Sequence, residues 1–184
     1  MSTVAAIFDP LGWISPFTLQ GKIILQEACK SALDWDEPLE SALQVRWQSW
    51  MNEAQNMETF RIDRCLRPKS VLDKGIRHTE LHYFCDGSQS EYGACCYLRS
   101  FTDSGEVHCS LLMAKARVTP VKVLTIPRVE LQAAVLASEM HAFLKCNVDI
   151  EINKVYFWTD STIVLGYIKN DITRYKVFVA NRVQ

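Results

Sequence analysis

The sequence predicts an α/β fold: a mixed sheet of three antiparallel strands and a parallel fourth, with a crossover helix between the third and fourth. Three observations predict it. Apolar or alternating runs at 79–86, 91–100 and 107–118 follow one another with connections of only a few residues, as in an antiparallel meander. A long stretch with apolar residues at helical spacing follows, from about Pro127 to Cys146. A fourth apolar run at 152–160 gives the order β-β-β-α-β-α, and a right-handed crossover sets that run parallel to the first.

Each element has its own local reasons. Residues 1 to about 60 read as helical and aromatic-rich. Asp9-Pro10-Leu11-Gly12 and Ser15-Pro16 punctuate a turn, after which FTLQGKIILQEACKSAL has a helical period. After a DWDEP loop, LESALQVRWQSWMNEAQNM makes a second helix with Leu43, Trp47, Trp50 and Met51 on one face. Its tryptophans suit a core better than a base-stacking platform. TELHYFCD is the first strand and EYGACCYLRS the second, with Cys95 and Cys96 facing opposite ways. The Asp103-Ser104-Gly105 turn leads into VHCSLLMAKARV. Pro127 suits a first helical turn, and Val129, Ala133, Leu136, Met140 and Leu144 form that helix's apolar stripe. INKVYFWTD is the fourth strand. STIVLGYIKN is a helix that Ser161 or Asp160 caps, and TRYKVFVANRVQ is a last helix that ends without a C-cap.

A chain of 184 residues, 48% apolar and 22% charged, fits one globular domain with an appendage. No apolar run reaches membrane-span length, and Met1 to Gln20 lacks the pattern of a signal peptide, so no membrane partner is expected. Seven cysteines, an odd number with no CxxC pair, argue for a reducing intracellular compartment and against zinc. Net charge is −1, but unevenly spread. Residues 61–77 carry Arg61, Arg64, Arg67, Lys69, Lys74 and Arg77 against Asp63 and Asp73. Residues 115–128 carry Lys115, Arg117, Lys122 and Arg128 with no acid. Such cations are either solvated loops or phosphate contacts, and for Arg128 a salt bridge within the fold is an equal alternative. His78, His82, His108 and His141 show no shared metal spacing; His82 and His108 are expected on the exposed face of adjacent strands. Tyr92 and Tyr167 are open candidates for stacking on nucleic acid.

The chemistry lies in three acids. Asp86 and Asp160 each end an apolar strand, and Glu130 sits in the first turns of the crossover helix. Parallel pairing of strands one and four makes the two aspartates neighbours, with Glu130 in reach. Three carboxylates on rigid elements then form a pocket that bound cations neutralise, the arrangement by which enzymes cut phosphodiesters with Mg²⁺. Each acid also has a plain structural role to hand: Asp86 in a turn before Gly87, Asp160 as a helix cap, Glu130 at a helix N-terminus.

The strings FCDGS, TIPRVELQAAV and FWTDST resemble the ribonuclease H fold at its catalytic positions. IFDPLGWISP, LDWDEPL, LLMAKARVTP, LTIPRVELQAAVLA, VYFWTDSTIVLGYI and FVANRV are more specifically similar to Bel/Pao long-terminal-repeat retrotransposon polyproteins, over nearly the whole chain. The resemblance implies residues 1–78 as a helical reverse transcriptase-to-RNase H connection and residues 79–184 as an RNase H-like domain. It implies hydrolysis of the RNA strand of an RNA–DNA hybrid during reverse transcription, leaving 5′-phosphate and 3′-hydroxyl ends. Asp86 would bridge two Mg²⁺ ions (or Mn²⁺) about 3.5–4 Å apart, with Glu130 and Asp160 holding one each. Glu130 would also read a ribose 2′-OH. Lys115, Arg117, Lys122 and Arg128 would contact nucleic acid. The partner would be the reverse transcriptase domain upstream in the parent polyprotein, in the cytoplasm, a virus-like particle or the nucleus. No YxDD motif is present, so DNA synthesis is not expected. Similar sequences place a fourth carboxylate after the FVANRV helix. The domain is therefore expected to be C-terminally truncated, without its final strand and helix, and Asp171 is a poor substitute.

Two rival readings remain. Bel/Pao segments have carried peptidase labels, and Asp103-Ser104-Gly105 spells the D-S-G of aspartic peptidases, though Thr102 and Glu106 suit a hairpin turn better. The other rival is a catalytically incomplete remnant that binds nucleic acid without turnover.

Overall fold

The computed structural model describes residues 2–31, 37–63, 65–170 and 174–183. The first three residues of the DWDEP loop, together with Arg64 and Asp171, lie outside them. Helix α1 spans Ser2–Ala6, α2 Ser15–Lys30 and α3 Ser41–Asn56. These helices bury their own small core of Val4, Ile24, Leu43 and Trp50. Trp50 is 4% exposed, stacks between Phe17 at 5.0 Å and Trp47 at 5.1 Å, and donates its indole N–H to the Phe17 carbonyl at 2.9 Å. The expected core role of the tryptophans holds, because the indole finds a polar partner without leaving the apolar face. Upstream of α2, the Asp9 carboxylate accepts the backbone N–H groups of Trp13 and Ile14, which closes the turn before the helix.

A short α4, Lys69–Leu72, leads into the sheet. Strands β1 (Ile76–Gly87), β2 (Glu91–Thr102) and β3 (Val107–Val118) form the antiparallel meander. Helix α5 (Ile126–Asn147) crosses over, and β4 (Lys154–Trp158) joins β1 in parallel, giving the order β3-β2-β1-β4. The five apolar positions expected on α5 are all buried, joined by Leu131 and Ala137. All but Leu131 pack on Leu81 and Tyr83 of β1, and on Ala94, Cys96 and Leu98 of β2. The Asp103–Gly105 turn has Gly105 at φ +85°, a conformation that suits glycine.

Alternation along the strands leaves a second sheet face. By register it carries His78, Glu80, His82, Phe84 and Asp86 from β1, Cys95, Tyr97 and Arg99 from β2, and Tyr156 and Trp158 from β4. The N-terminal helices meet the sheet at β3, where the Ala114 N–H donates to the Leu11 carbonyl at 2.8 Å. Gly12 makes this approach possible: its φ is +73°, and a Cβ there would lie 1.8 Å from the Ala114 carbonyl oxygen. Two expectations are corrected. His82 and His108 are not on adjacent strands, since β2 lies between β1 and β3. Tyr92 faces α5 and is 8% exposed in the core, unavailable for stacking on a nucleic acid.

After β4, helix α6 (Thr162–Lys169) and helix α7 (Val177–Val183) pack on α5 through Val164, Val179 and Leu131. Among the described residues, no helix is long and apolar enough to cross a membrane.

Candidate active site

Pairing geometry places the aspartates first. Phe84 of β1 lies opposite Trp158 of β4 in parallel register. Asp86 and Asp160 each follow two residues later, so both leave the same rim of the sheet from neighbouring strands. Cys85, between them, reports both charges. Burial above all, then the fields of Asp86, Asp160 and Cys95, outweigh a hydrogen bond with Thr159 and push its thiol up to about 11.

Glu130 arrives from α5 because Gly87 lets it. A Cβ at Gly87 would stand 2.9 Å from Val129 Cγ1 and 3.0 Å from the Glu130 backbone nitrogen. The glycine after Asp86 thus serves close approach of the helix. The Glu130 carboxylate is then tied to the far side of the rim: Ser161 donates its hydroxyl to Glu130 Oε2 at 2.7 Å. Ser161, not Asp160, caps α6, accepting the Val164 N–H at 3.2 Å. Among the described residues, Asp160 has no hydrogen bond or ion pair. Asp86 Oδ1 accepts the Gly87 N–H at 2.6 Å, the turn role expected of it, and its Oδ2 has no partner among them.

Three carboxylates therefore gather at one rim, and none has a cation beside it among the described residues. Their oxygens form the hard donor set that suits Mg²⁺ or Mn²⁺. As the side chains stand, no three acid, histidine or cysteine groups among the described residues are close enough to hold one ion jointly. The three acids therefore fit a divalent ion by the chemistry of their oxygens and not by their present spacing.

A cavity of about 700 Å³ opens beside Asp86 and Asp160 on the sheet face away from α5. Phe84 and Trp158 wall one side, and Pro16 and Leu19 of α2 the other. The contribution of α2 was not readable from sequence, because it depends on a contact between segments about a hundred residues apart. A network beneath the rim also goes beyond the sequence expectations. Glu80, buried, meets His78 Nε2 at 3.1 Å, His82 Nε2 at 3.0 Å and Arg99 at 3.5 Å. Trp158 donates its indole N–H to His82 Nδ1 at 3.1 Å, so His82 carries its hydrogen on Nε2 and gives it to Glu80. Burial works to raise the Glu80 pKa, but the hydrogen bonds and fields of His82 and His78 prevail and hold it below the ordinary carboxylate value. A period-two reading of His78-Thr79-Glu80-Leu81-His82 would have put all three side chains on one face.

The four cations named from sequence do not converge on the rim. Lys115 lies over the Phe143 ring at 5.7 Å, and Arg117 pairs with Glu139 at 3.6 Å, both toward α5. Arg128 stacks on Phe178 at 5.2 Å. Lys122, in the segment before α5, is exposed and has no partner among the described residues. Asp103-Ser104-Gly105 is the β2–β3 hairpin tip. It lies at the opposite end of the sheet from Asp86, with the Thr102 hydroxyl bonded to Ser104 and to the Glu106 N–H.

A mixed sheet of this order, with carboxylates leaving β1, α5 and the β4–α6 turn at one rim, defines an RNase H-like domain of the α/β class. The family described as "Pao retrotransposon-like RNaseH-like domain" matches residues 1–161. The chain belongs to that family of retrotransposon domains. Comparison with curated proteins gives no match.

Proposed function

We propose that the chain hydrolyses the RNA strand of RNA–DNA hybrids within a retrotransposon polyprotein. Asp86, Glu130 and Asp160 would be the catalytic carboxylates and the ligands of two Mg²⁺ ions, with Mn²⁺ as a substitute. One observation carries the reading: three acids from distant parts of the chain lie along one rim, with no neutralising cation among the described residues. Bound divalent ions would supply Lewis-acid stabilisation of the attacking and leaving oxygens. The chain's own contribution is to hold the carboxylates on rigid elements, with Trp158 and the β1–β4 pairing keeping Asp160 beside Asp86. Lys122 has no competing contact and is the first candidate for a substrate phosphate. Lys115, Arg117 and Arg128 would have to leave Phe143, Glu139 and Phe178 to join it. Within this proposal, residues 1–78 are the connection to an upstream reverse transcriptase domain, and residues 79–184 carry the nuclease.

The test uses a labelled RNA–DNA hybrid with Mg²⁺, beside duplex DNA and duplex RNA. Cleavage confined to the hybrid is expected, and Asp86→Asn should lower it by at least about 100-fold, the scale of losing one electrostatic group at a reacting centre. Equal cleavage by a folded Asp86→Asn protein refutes the assignment. A second reading, hybrid binding without turnover, is favoured by the absence of a ready-made three-ligand cluster among the described residues. Retention of the hybrid with no cleavage in either Mg²⁺ or Mn²⁺ would establish it.

A further inference from the structure

We infer that Ser161 is the positioning residue that decides which oxygen of Glu130 faces the ion site and restricts that carboxylate to one-oxygen ligation. The inference deepens the nuclease reading and rests on it.

The side chain of Ser161 is locked from both directions. It is 6% exposed, and its Oγ accepts the Val164 N–H at 3.2 Å while donating to Glu130 Oε2 at 2.7 Å. A hydroxyl has one hydrogen. With the helix N–H approaching its lone pairs, that hydrogen is committed to Glu130. The anchor is firm, because Val164 is fully buried and the N-cap fixes Ser161 relative to α6. A glutamate has three side-chain torsions, and on its own this carboxylate could swing or present both oxygens to a cation. The bond to Ser161 occupies Oε2, and Oε1 has no partner among the described residues. Ser161 follows Asp160 directly in the chain. The same bond therefore sets the Glu130 carboxylate relative to its neighbour across the rim.

The experiment compares the full chain with Ser161→Gly and Ser161→Thr. Glycine is an acceptable N-cap but has no donor, whereas threonine keeps both the cap and the hydroxyl. Mn²⁺ affinity is read by calorimetry, and hybrid cleavage is followed against Mg²⁺ concentration. In Ser161→Gly the Mn²⁺ dissociation constant should rise about 10- to 100-fold, the usual cost of losing a partner behind a metal ligand. The Mg²⁺ needed for half-maximal cleavage should rise with it, while KM for the hybrid stays put. Ser161→Thr should restore both metal readouts. Should Ser161→Gly not fold, Ser161→Cys, with only a weak S–H donor, should show the same weakening. A folded Gly or Cys variant with parental Mn²⁺ affinity overturns the inference and leaves the nuclease reading standing. A parent chain that neither binds Mn²⁺ nor cleaves overturns both.

Discussion

Gly87 is where fold and candidate chemistry meet most tightly, and Gly87→Ala tests both. The added methyl would sit 2.9 Å from Val129 Cγ1 and 3.0 Å from both the Glu130 nitrogen and the Val129 carbonyl carbon. Two of those three atoms are backbone, so no side-chain rotation relieves the contact, and α5 must back away from β1. Overpacking of this kind costs about 1–3 kcal/mol. Replacing a strand glycine by alanine returns about 0.5–1 kcal/mol through the unfolded chain. The net expectation is a loss between about 0 and 2.5 kcal/mol in urea unfolding. The catalytic effect should be larger, because displacement of the first α5 turn carries Glu130 off Asp86, and a 1 Å misplacement can cost about 100-fold in rate. Gly166→Ala is the control. Its methyl would meet nothing within 4 Å, so it should gain about 0.5–1 kcal/mol from helix propensity. Gly87→Ala with parental unfolding and parental hybrid cleavage would refute the close-approach explanation, and with it the placement of Glu130.

Two further outcomes follow from packing and charge. Met140→Ala, at a fully buried α5 position over the sheet, should lose about 2–5 kcal/mol in denaturant unfolding, and a loss below about 1 kcal/mol would mean the core is looser than described. Glu80 has a folded-state pKa below its unfolded value, so its contribution to stability is complete above the ordinary carboxylate pKa of about 4.3 and is lost as pH falls through the folded value. Unfolding measured from neutral pH into acid should accordingly lose a component in Glu80→Gln that the parent shows; an unchanged acid limb would place the proton uptake elsewhere.

Much of this was legible in the chain, and the exceptions have physical causes. The α5 stripe of Val129, Ala133, Leu136, Met140 and Leu144 is a local period, and all five residues are buried as that period requires. The strand order and the parallel placement of β4 also came from local runs plus the handedness of crossovers, although β4 ends at Trp158 and leaves Asp160 in the turn beyond it. The direction of Lys115 and Arg117 did not. A register shift opposite Cys96 and Tyr97 inserts Leu112 as an extra residue in β3, so Leu112 and Met113 are both buried. Beyond that bulge the alternation changes phase and turns both cations toward Phe143 and Glu139. Ser161 was legible as a cap because capping is local. Its bond to Glu130 was not, since it joins elements separated by a whole strand. The adjacency assumed for His82 and His108 failed similarly, because a meander places every second strand apart.

The seam at Leu11 and Ala114 has a consequence for colloidal behaviour. A sheet margin with free N–H and C=O groups recruits strands from other molecules. Here the N-terminal helices are moored across part of that margin through a backbone bond that only a left-handed, side-chain-free residue at position 12 permits. A bulkier residue there would break that bond and leave the Ala114 N–H open at the sheet margin.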